Sequence, residues 1–210
     1  EYPNGKHNDE SNHVKKYTMG MAVKKTATKK QVNKRGGSLP HPALMHLKKA
    51  DPKLYRAALP HHDTILASME HRRRYDALFP ALAGSIVSQQ LSTKAADTIW
   101  ARLEKACKGT VTPEAILRLR ETTMRKAGLS AAKIKTLKQL SKALTEGALD
   151  LKKLGAMPED DAVAALSAIW GIGRWTAEMF LIFALQKEDV FSPGDLGLRR
   201  SVEALYGLPK

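Results

Sequence analysis

Residues 166–177 read Leu-Ser-Ala-Ile-Trp-Gly-Ile-Gly-Arg-Trp-Thr-Ala, where one helical pattern stops at a glycine turn and another resumes at once. Gly171 and Gly173 are free to take positive φ and have no Cβ to hold a partner away from the backbone. Ile172 between them can point inward as an anchor. The amides of the turn and of the next helix then face one way, at the positive end of the helix dipole, which favours phosphate. A helix C-cap followed by an ordinary helix is the alternative explanation.

A lone carboxylate follows in residues 189–197, which read Asp-Val-Phe-Ser-Pro-Gly-Asp-Leu-Gly. Asp195 comes after a Pro-Gly break that lets the chain turn tightly, and the helical pattern that it begins favours its ionised form through the dipole. Spacing alone favours a second explanation, in which Asp195 is merely the N-cap of that last helix. Asp189 is the next candidate carboxylate, but it looks like a loop residue.

A polar pair ends an apolar segment at residues 86–92, which read Ile-Val-Ser-Gln-Gln-Leu-Ser. One or both of Gln89 and Gln90 can project from a junction between two helices, with Leu91 beside them. A polar pair on a solvent-facing turn explains the pattern equally well.

Composition limits the class of protein. The chain has 210 residues, 43% of them hydrophobic, which is enough for one sizeable core. Its formal net charge of +14 favours an anionic partner, nucleic acid first and an anionic membrane surface second. No apolar run approaches the roughly 20 residues that cross a bilayer, and the first residues lack a secretory signal, so we expect an intracellular protein. Cys107 is the only cysteine, which excludes an internal disulfide and a multi-cysteine metal site.

The pattern from residue 40 onward is helical, with apolar residues at spacings of three and four and no credible strand pair or repeat. It predicts an all-α fold of roughly eight to ten helices. Helix starts are predicted at Ser92 or Thr93, at Thr112 and at Ser130, where hydroxyls can cap the first turn. Another helix is predicted to begin at Thr64.

Two further predictions concern packing and division of the fold. Connectors near Gly109 and Gly147, the second closing the helix that Ser130 opens, are predicted to separate two helical lobes with a cleft between them. Ile169, Trp170 and Trp100 are predicted to pack in the core.

Residues 1–39 are predicted to form a disordered basic arm, because they are rich in Lys and Arg and contain almost no apolar residues. The arm is either a nonspecific DNA tether, or a nuclear-localisation-like run, or a solvated tail. Residues 40–210 are predicted to form the helical domain.

The three blocks taken together resemble the helix-hairpin-helix DNA glycosylase superfamily, and within it the alkyladenine branch, 3-methyladenine DNA glycosylase II. They are Gly-Ile-Gly-Arg-Trp-Thr-Ala-Glu-Met-Phe at 171–180, Asp-Val-Phe-Ser-Pro-Gly-Asp-Leu-Gly at 189–197 and the Gln-Gln block at 86–92. The resemblance runs from about Pro40 to the last residue. Family members continue past the aspartate with further helices, so we expect either a C-terminally truncated domain that exposes an apolar face or a substrate pocket that is open on one side.

The resemblance implies that Asp195 is the catalytic carboxylate, which acts on water and stabilises an oxocarbenium-like sugar. It implies that Trp175 stacks on a cationic methylated purine, with a core tryptophan as the alternative. Met179 and Leu196 complete the implied substrate pocket, where some relatives have aromatic residues. Independently of the resemblance, Lys133 and Lys135 are candidate phosphate contacts, with simple solvation as the alternative in so basic a chain. Gln90 matches the wedge that fills the gap left by a flipped nucleotide, and the implied DNA-binding set is Gln89, Gln90, Leu91, Gly171, Ile172, Gly173, Arg174 and Thr176.

Bifunctional members of the superfamily have a lysine nucleophile where this chain has Trp175, so the resemblance implies hydrolysis without lyase activity. The single cysteine excludes the branches that carry an iron–sulfur cluster. We expect no cofactor and no side-chain metal site, apart from a structural monovalent cation on carbonyls of the hairpin. The expected partner is damaged double-stranded DNA, with no membrane partner. The chain is expected to act as a monomer, in the cytoplasm or nucleoid of a bacterium or in a eukaryotic nucleus.

The leading hypothesis is a monofunctional DNA glycosylase that excises alkylated purines in base excision repair. A noncatalytic helix-hairpin-helix module that binds DNA is the alternative. A third hypothesis, a bifunctional glycosylase/lyase acting on oxidised bases, is disfavoured by the missing lysine.

Overall fold

The computed structural model describes residues 42–61 and 77–209. Within them the regular structure is entirely helical, which confirms the predicted all-α class. No helix in this part of the chain is long and apolar enough to cross a membrane. The predicted arm at 1–39 and the helix predicted to begin at Thr64 lie outside the described residues. The described α-helices are α1 (Pro42–Ala50), α2 (Pro52–Ala58), α3 (Leu78–Ser88), α4 (Thr93–Ala106), α5 (Pro113–Arg118), α6 (Glu121–Ala127), α7 (Ala131–Thr145), α8 (Glu159–Ser167), α9 (Arg174–Phe183) and α10 (Leu196–Tyr206).

Three helices begin at the predicted hydroxyl caps. The side chains of Ser92, Thr112 and Ser130 each accept a hydrogen bond from the backbone N–H three residues later, at distances of 3.4, 3.2 and 3.3 Å. Each bond satisfies an amide that the first turn of a helix leaves unpaired. Helix α6 was missed because it begins without a side-chain cap and spans only seven residues.

The main core surrounds α3, whose Leu82 and Ile86 are fully buried. One continuous cluster of buried apolar side chains runs through residues 78–184. Gly109 and Gly147 therefore lie in loops beside a single packed unit, and the prediction that they separate two lobes is wrong. A glycine marks a change of chain direction, and that change does not require a new core.

The boundary between the two lobes separates α1, α2 and α10 from the other helices. Helices α1 and α2 pack on each other, and the hydroxyl of Tyr206, at the end of α10, donates a hydrogen bond to the Asp51 carboxylate. The Lys53 ammonium lies 5.6 Å from the centroid of the Tyr206 ring. No residue of α10 is buried. One lobe thus comprises α3 to α9, and the other comprises α1, α2 and α10. Trp175 in α9 and Asp195 before α10 lie at their junction.

Candidate functional site

The glycine turn joins α8 to α9 and packs closely against α7. Gly171 has a φ of +86°, and a Cβ built on it would lie 2.1 Å from Oγ1 of Thr136, so this position requires glycine. Ile172 is 3% exposed and anchors the turn in the core, as the sequence predicts. Gly173 has a φ of −84°, so only the first glycine uses the positive-φ region.

The start of α9 presents backbone amides that no side chain caps. Gly173 is the N-cap residue and makes no side-chain capping bond. It is exposed, and a Cβ built on it would meet no atom within 4 Å. The first amides of a helix lack intrahelical acceptors, and the helix dipole places partial positive charge there. This end of α9 is therefore suited to an anion such as a phosphate group.

Asp195 is the N-cap that its spacing predicts, and its carboxylate also contacts the first turn of α9. Its Oδ1 atom accepts a hydrogen bond from the Leu198 amide at 2.7 Å, which makes it the N-cap of α10. Its Oδ2 atom accepts a hydrogen bond from the indole N–H of Trp175, also at 2.7 Å. Because Trp175 is in the first turn of α9, the carboxylate and the glycine turn share one side of the molecule.

These contacts hold the carboxylate in its charged form. The pKa of Asp195 lies below its ordinary value, first because the Leu198 amide donates to it. The indole of Trp175 and the Gly197 amide lower it further, whereas partial burial opposes them. A fixed, ionised carboxylate can stabilise positive charge that develops on a neighbouring group.

A buried carboxylate, missed in the sequence, fastens the segment that carries Asp195. Glu178 in α9 is 1% exposed. It accepts hydrogen bonds from Ser192 Oγ at 2.5 Å and from Arg174 Nε at 2.8 Å, which offset the cost of burying its charge. Arg174 also pairs with Asp160 of α8 at 3.2 Å. The i,i+4 spacing of Arg174 and Glu178 was the available signal, but it is common on helices. Contact of the already paired Arg174 with DNA stays a prediction.

Trp175 is 42% exposed, so the alternative of a core tryptophan in the hairpin is wrong. Its ring is accessible for stacking. Met179, one turn further along the same face of α9, is half-buried. Leu196, the first residue of α10, is 58% exposed. Contact of these side chains with a substrate stays a prediction.

Trp170 is 47% exposed, which makes its predicted place in the core wrong. Helix α8 ends at Ser167, so the turn carries Trp170 away from the buried helical face. Ile169 and Trp100 are partly buried against the core, as predicted.

The glutamine turn after α3 contacts the glycine turn. The Nε2 atom of Gln89 donates hydrogen bonds to Gly171 O and to Thr176 Oγ1, both at 3.3 Å. Gln90 is exposed with a φ of +57°, and Leu91 is 39% exposed. The two glutamines therefore differ: Gln89 braces the glycine turn, while Gln90 and Leu91 lie at the surface.

Lys133, a candidate phosphate contact, caps a helix instead. Its Nζ atom donates to the carbonyl oxygens of Val87 and Gln89, both at 2.8 Å, at the end of α3. Partial burial lowers the pKa of its ammonium group. A lysine in this position satisfies carbonyls that the last turn of a helix leaves unpaired.

The indole N–H of Trp175 should report the ionisation of Asp195 in NMR spectra. The chain has three tryptophans, so a ¹⁵N-labelled sample gives few indole resonances to assign. Because the folded pKa of Asp195 is depressed, its charged form is stabilised at neutral pH, and that stabilisation is lost as pH falls through the folded pKa. We expect the Trp175 resonance to shift with a midpoint below roughly 3.9, the ordinary aspartate value. Asp195→Asn should remove the step, and a midpoint at or above the ordinary value would contradict the geometry.

Comparison with known proteins gives one family model and several similar proteins. Residues 83–210 match the family model described as HhH-GPD superfamily base excision DNA repair protein. The chain is 38% identical over 146 residues to DNA-3-methyladenine glycosylase 1 of Schizosaccharomyces pombe, which covers 68% of this chain and 62% of that protein. It is 33% identical over 168 residues to DNA-3-methyladenine glycosylase of Saccharomyces cerevisiae, and this match covers 75% of this chain and 57% of that protein. It thus spans about six tenths of the length of these curated relatives.

A solved structure of the Schizosaccharomyces pombe 3-methyladenine DNA glycosylase in complex with abasic DNA has a similar fold. The TM-score is 0.61 at 30% identity, over 81% of this chain and 82% of that chain.

Proposed function

The chain belongs to the HhH-GPD superfamily of base excision DNA repair proteins, and on that premise we propose that it is a monofunctional DNA glycosylase. It hydrolyses the N-glycosidic bond of alkylated purines, chiefly cationic bases such as 3-methyladenine, in duplex DNA. The observation that carries this proposal is the hydrogen bond of 2.7 Å from Trp175 to Asp195 at the start of α9. It brings a carboxylate, an exposed ring and anion-binding amides together.

The amides at the start of α9 hold a phosphate of the damaged strand. Gly173 suits this contact because no Cβ separates its backbone from an approaching phosphate oxygen. The net charge of +14 adds long-range attraction to the duplex. This contact fixes the register of the strand relative to Asp195.

Hydrolysis requires a nucleotide turned out of the duplex so that C1′ becomes accessible. As the bond from C1′ to the base nitrogen breaks, the base leaves with the bonding electron pair, and a base that began as a cation becomes neutral. The charge of Asp195 stabilises the oxocarbenium-like sugar. A water molecule adds to C1′ and loses a proton to Asp195 or to solvent. A single carboxylate is enough because the cationic base is already an activated leaving group, unlike the substrates of two-carboxylate sugar hydrolases.

Trp175 binds the base through its ring, by stacking and by cation–π attraction. Its hydrogen bond to Asp195 fixes the ring relative to the carboxylate. Met179 and Leu196 extend the apolar contact. Because Trp175 offers no primary amine, no Schiff base forms, and the product is an abasic site in an uncut strand.

Gln90 and Leu91 fill the gap that the flipped nucleotide leaves in the stack. Both are exposed, which this role requires. Gln89 supports them by bracing the glycine turn.

A structural monovalent cation on the glycine turn is part of the same proposal. The carbonyl oxygens of Ile169 and Gly171 each accept one hydrogen bond and have a second lone pair, so they fit such an ion. Among the residues described, no cluster of three or more His, Cys, Asp or Glu side chains could hold a metal ion. We also propose that the protein is a monomer and that it acts in the cytoplasm or nucleoid of a bacterium or in a eukaryotic nucleus.

The test is release of bases from methylated duplex DNA, analysed by chromatography. We expect free 3-methyladenine and an abasic strand that stays intact until it is treated with alkali. Retained duplex binding with no free base would overturn the proposal in favour of a noncatalytic DNA-binding module. A covalent adduct trapped by borohydride would overturn it in favour of a bifunctional glycosylase/lyase.

A further inference from the structure

An exposed tryptophan and a lysine lie next to the glycine turn on a surface that the proposed reaction does not use. Trp170 directly precedes Gly171 and is 47% exposed. The Nζ atom of Lys135, in α7, lies 4.2 Å from the centroid of its indole ring. At this distance the ring attracts the ammonium group, so the two side chains restrict each other. They are called here the Trp170–Lys135 pair.

Buried packing fixes this pair relative to the glycine turn. Thr136, which follows Lys135, is 3% exposed, and its Oγ1 atom lies 2.1 Å from where a Cβ of Gly171 would be. Helix α7 and the turn thus approach as closely as a glycine permits. Lys135 and Trp170 are the sequence neighbours of the two residues in that contact. The ammonium is therefore positioned by the same packing that shapes the turn.

Three nearby cations are bound to protein oxygen atoms, whereas the Lys135 ammonium lies against an uncharged ring. Lys133 donates to two carbonyl oxygens at the end of α3, and Lys138 donates to two at the end of α5. Arg174 pairs with two carboxylates. In the described part of the chain, Lys135 forms no ion pair with an acidic side chain. Its positive charge therefore remains available to an anion from outside the protein.

We propose that the Trp170–Lys135 pair is a second phosphate contact, adjacent on the same strand to the phosphate at the start of α9. This inference rests on the DNA binding of the proposed function and adds a site to it. The ammonium binds the phosphate, while the exposed part of the ring lies against a deoxyribose. The ring restricts the rotamers of the lysine before DNA arrives, so less side-chain entropy is lost on binding. The contact contributes affinity and register but no base specificity.

The experiment measures binding to an undamaged duplex by fluorescence anisotropy over a series of salt concentrations. Lys135→Ala should weaken binding and reduce the slope of log K against log salt by roughly 0.9, the value for one phosphate contact. Trp170→Ala should weaken binding as well, because the lysine loses its support. Lys142→Ala is the matched control: it removes the same charge from the same helix, and Lys142 is exposed and pairs with Glu146 at 3.8 Å. The control should keep the parental slope.

The outcomes separate this contact from the reaction. Equal slopes for the Lys135 and Lys142 variants would overturn the second phosphate contact and leave the proposed function intact. Absence of duplex binding by the parent protein would overturn both. Base release by the Lys142 variant should match the parent, because Lys142 is exposed and pairs with Glu146. A parent that binds duplex with the predicted slopes but releases no base would overturn only the glycosylase activity.

Discussion

Asp195→Asn should slow base release at saturating protein by at least roughly 100-fold, the typical loss when one preorganised electrostatic group is removed from an active site. The amide carries no charge to stabilise the sugar cation and cannot take a proton from water. The asparagine also has only one oxygen for two donors. In the parent protein the Leu198 amide and the Trp175 indole donate to different carboxylate oxygens of Asp195. Single-turnover release of 3-methyladenine from methylated duplex measures the effect.

Asp189→Asn is the matched control, because it makes the same change of charge at an exposed residue earlier in the same segment. It should release base at the parental rate. Asparagine is as good an N-cap as aspartate, so α10 should still begin at Leu196. The midpoint of thermal unfolding should therefore show that the variant remains folded. Duplex affinity should hold or rise in both variants, since each removes a negative charge from a protein that binds a polyanion. An Asp195 variant as fast as the parent would show that the carboxylate was misassigned.

Local interactions explain what the sequence could predict. Ser92, Thr112 and Ser130 cap their helices because a hydroxyl and the amide three residues later are neighbours in any fold. Asp195 shows the limit of this reasoning. Its spacing predicts the bond to the Leu198 amide, whereas the bond from the indole of Trp175 joins two helices of different lobes. Only the resemblance to a known family favoured Asp195 as the catalytic carboxylate.

Contacts between distant segments explain what the sequence could not predict. Gln89 and Gln90 are adjacent and identical, yet Gln89 alone reaches the carbonyl of Gly171, 82 positions along the chain. Glu178 is buried because Ser192 and Arg174 approach its carboxylate from different segments. The period of a helix says which residues share a face, but not which segment that face meets. The boundary between the two lobes was wrongly placed at Gly109 and Gly147 for the same reason.

Gly171→Ala should destabilise the protein by about 2–5 kcal/mol, through two separate costs. At a φ of +86° a residue with a Cβ is strained, by about 1–2 kcal/mol. The new Cβ would also lie 2.1 Å from Thr136 Oγ1, and such overpacking costs about 1–3 kcal/mol more. Domains are stable by only about 5–15 kcal/mol, so the midpoint of urea unfolding, followed by circular dichroism, should fall clearly.

Gly173→Ala is the matched control on the second glycine. Its φ is −84° and a built Cβ meets no atom within 4 Å, so the loss should stay below about 1 kcal/mol, as expected for alanine at an N-cap. That Cβ would stand among the amides proposed to bind phosphate, so duplex affinity should fall while stability holds. Adding Thr136→Ala to the Gly171 variant should recover the part of the loss caused by overlap with the hydroxyl, but not the backbone strain. Equal midpoints for the two single alanine variants would contradict this account, because φ and the Thr136 contact are what distinguish the two glycines.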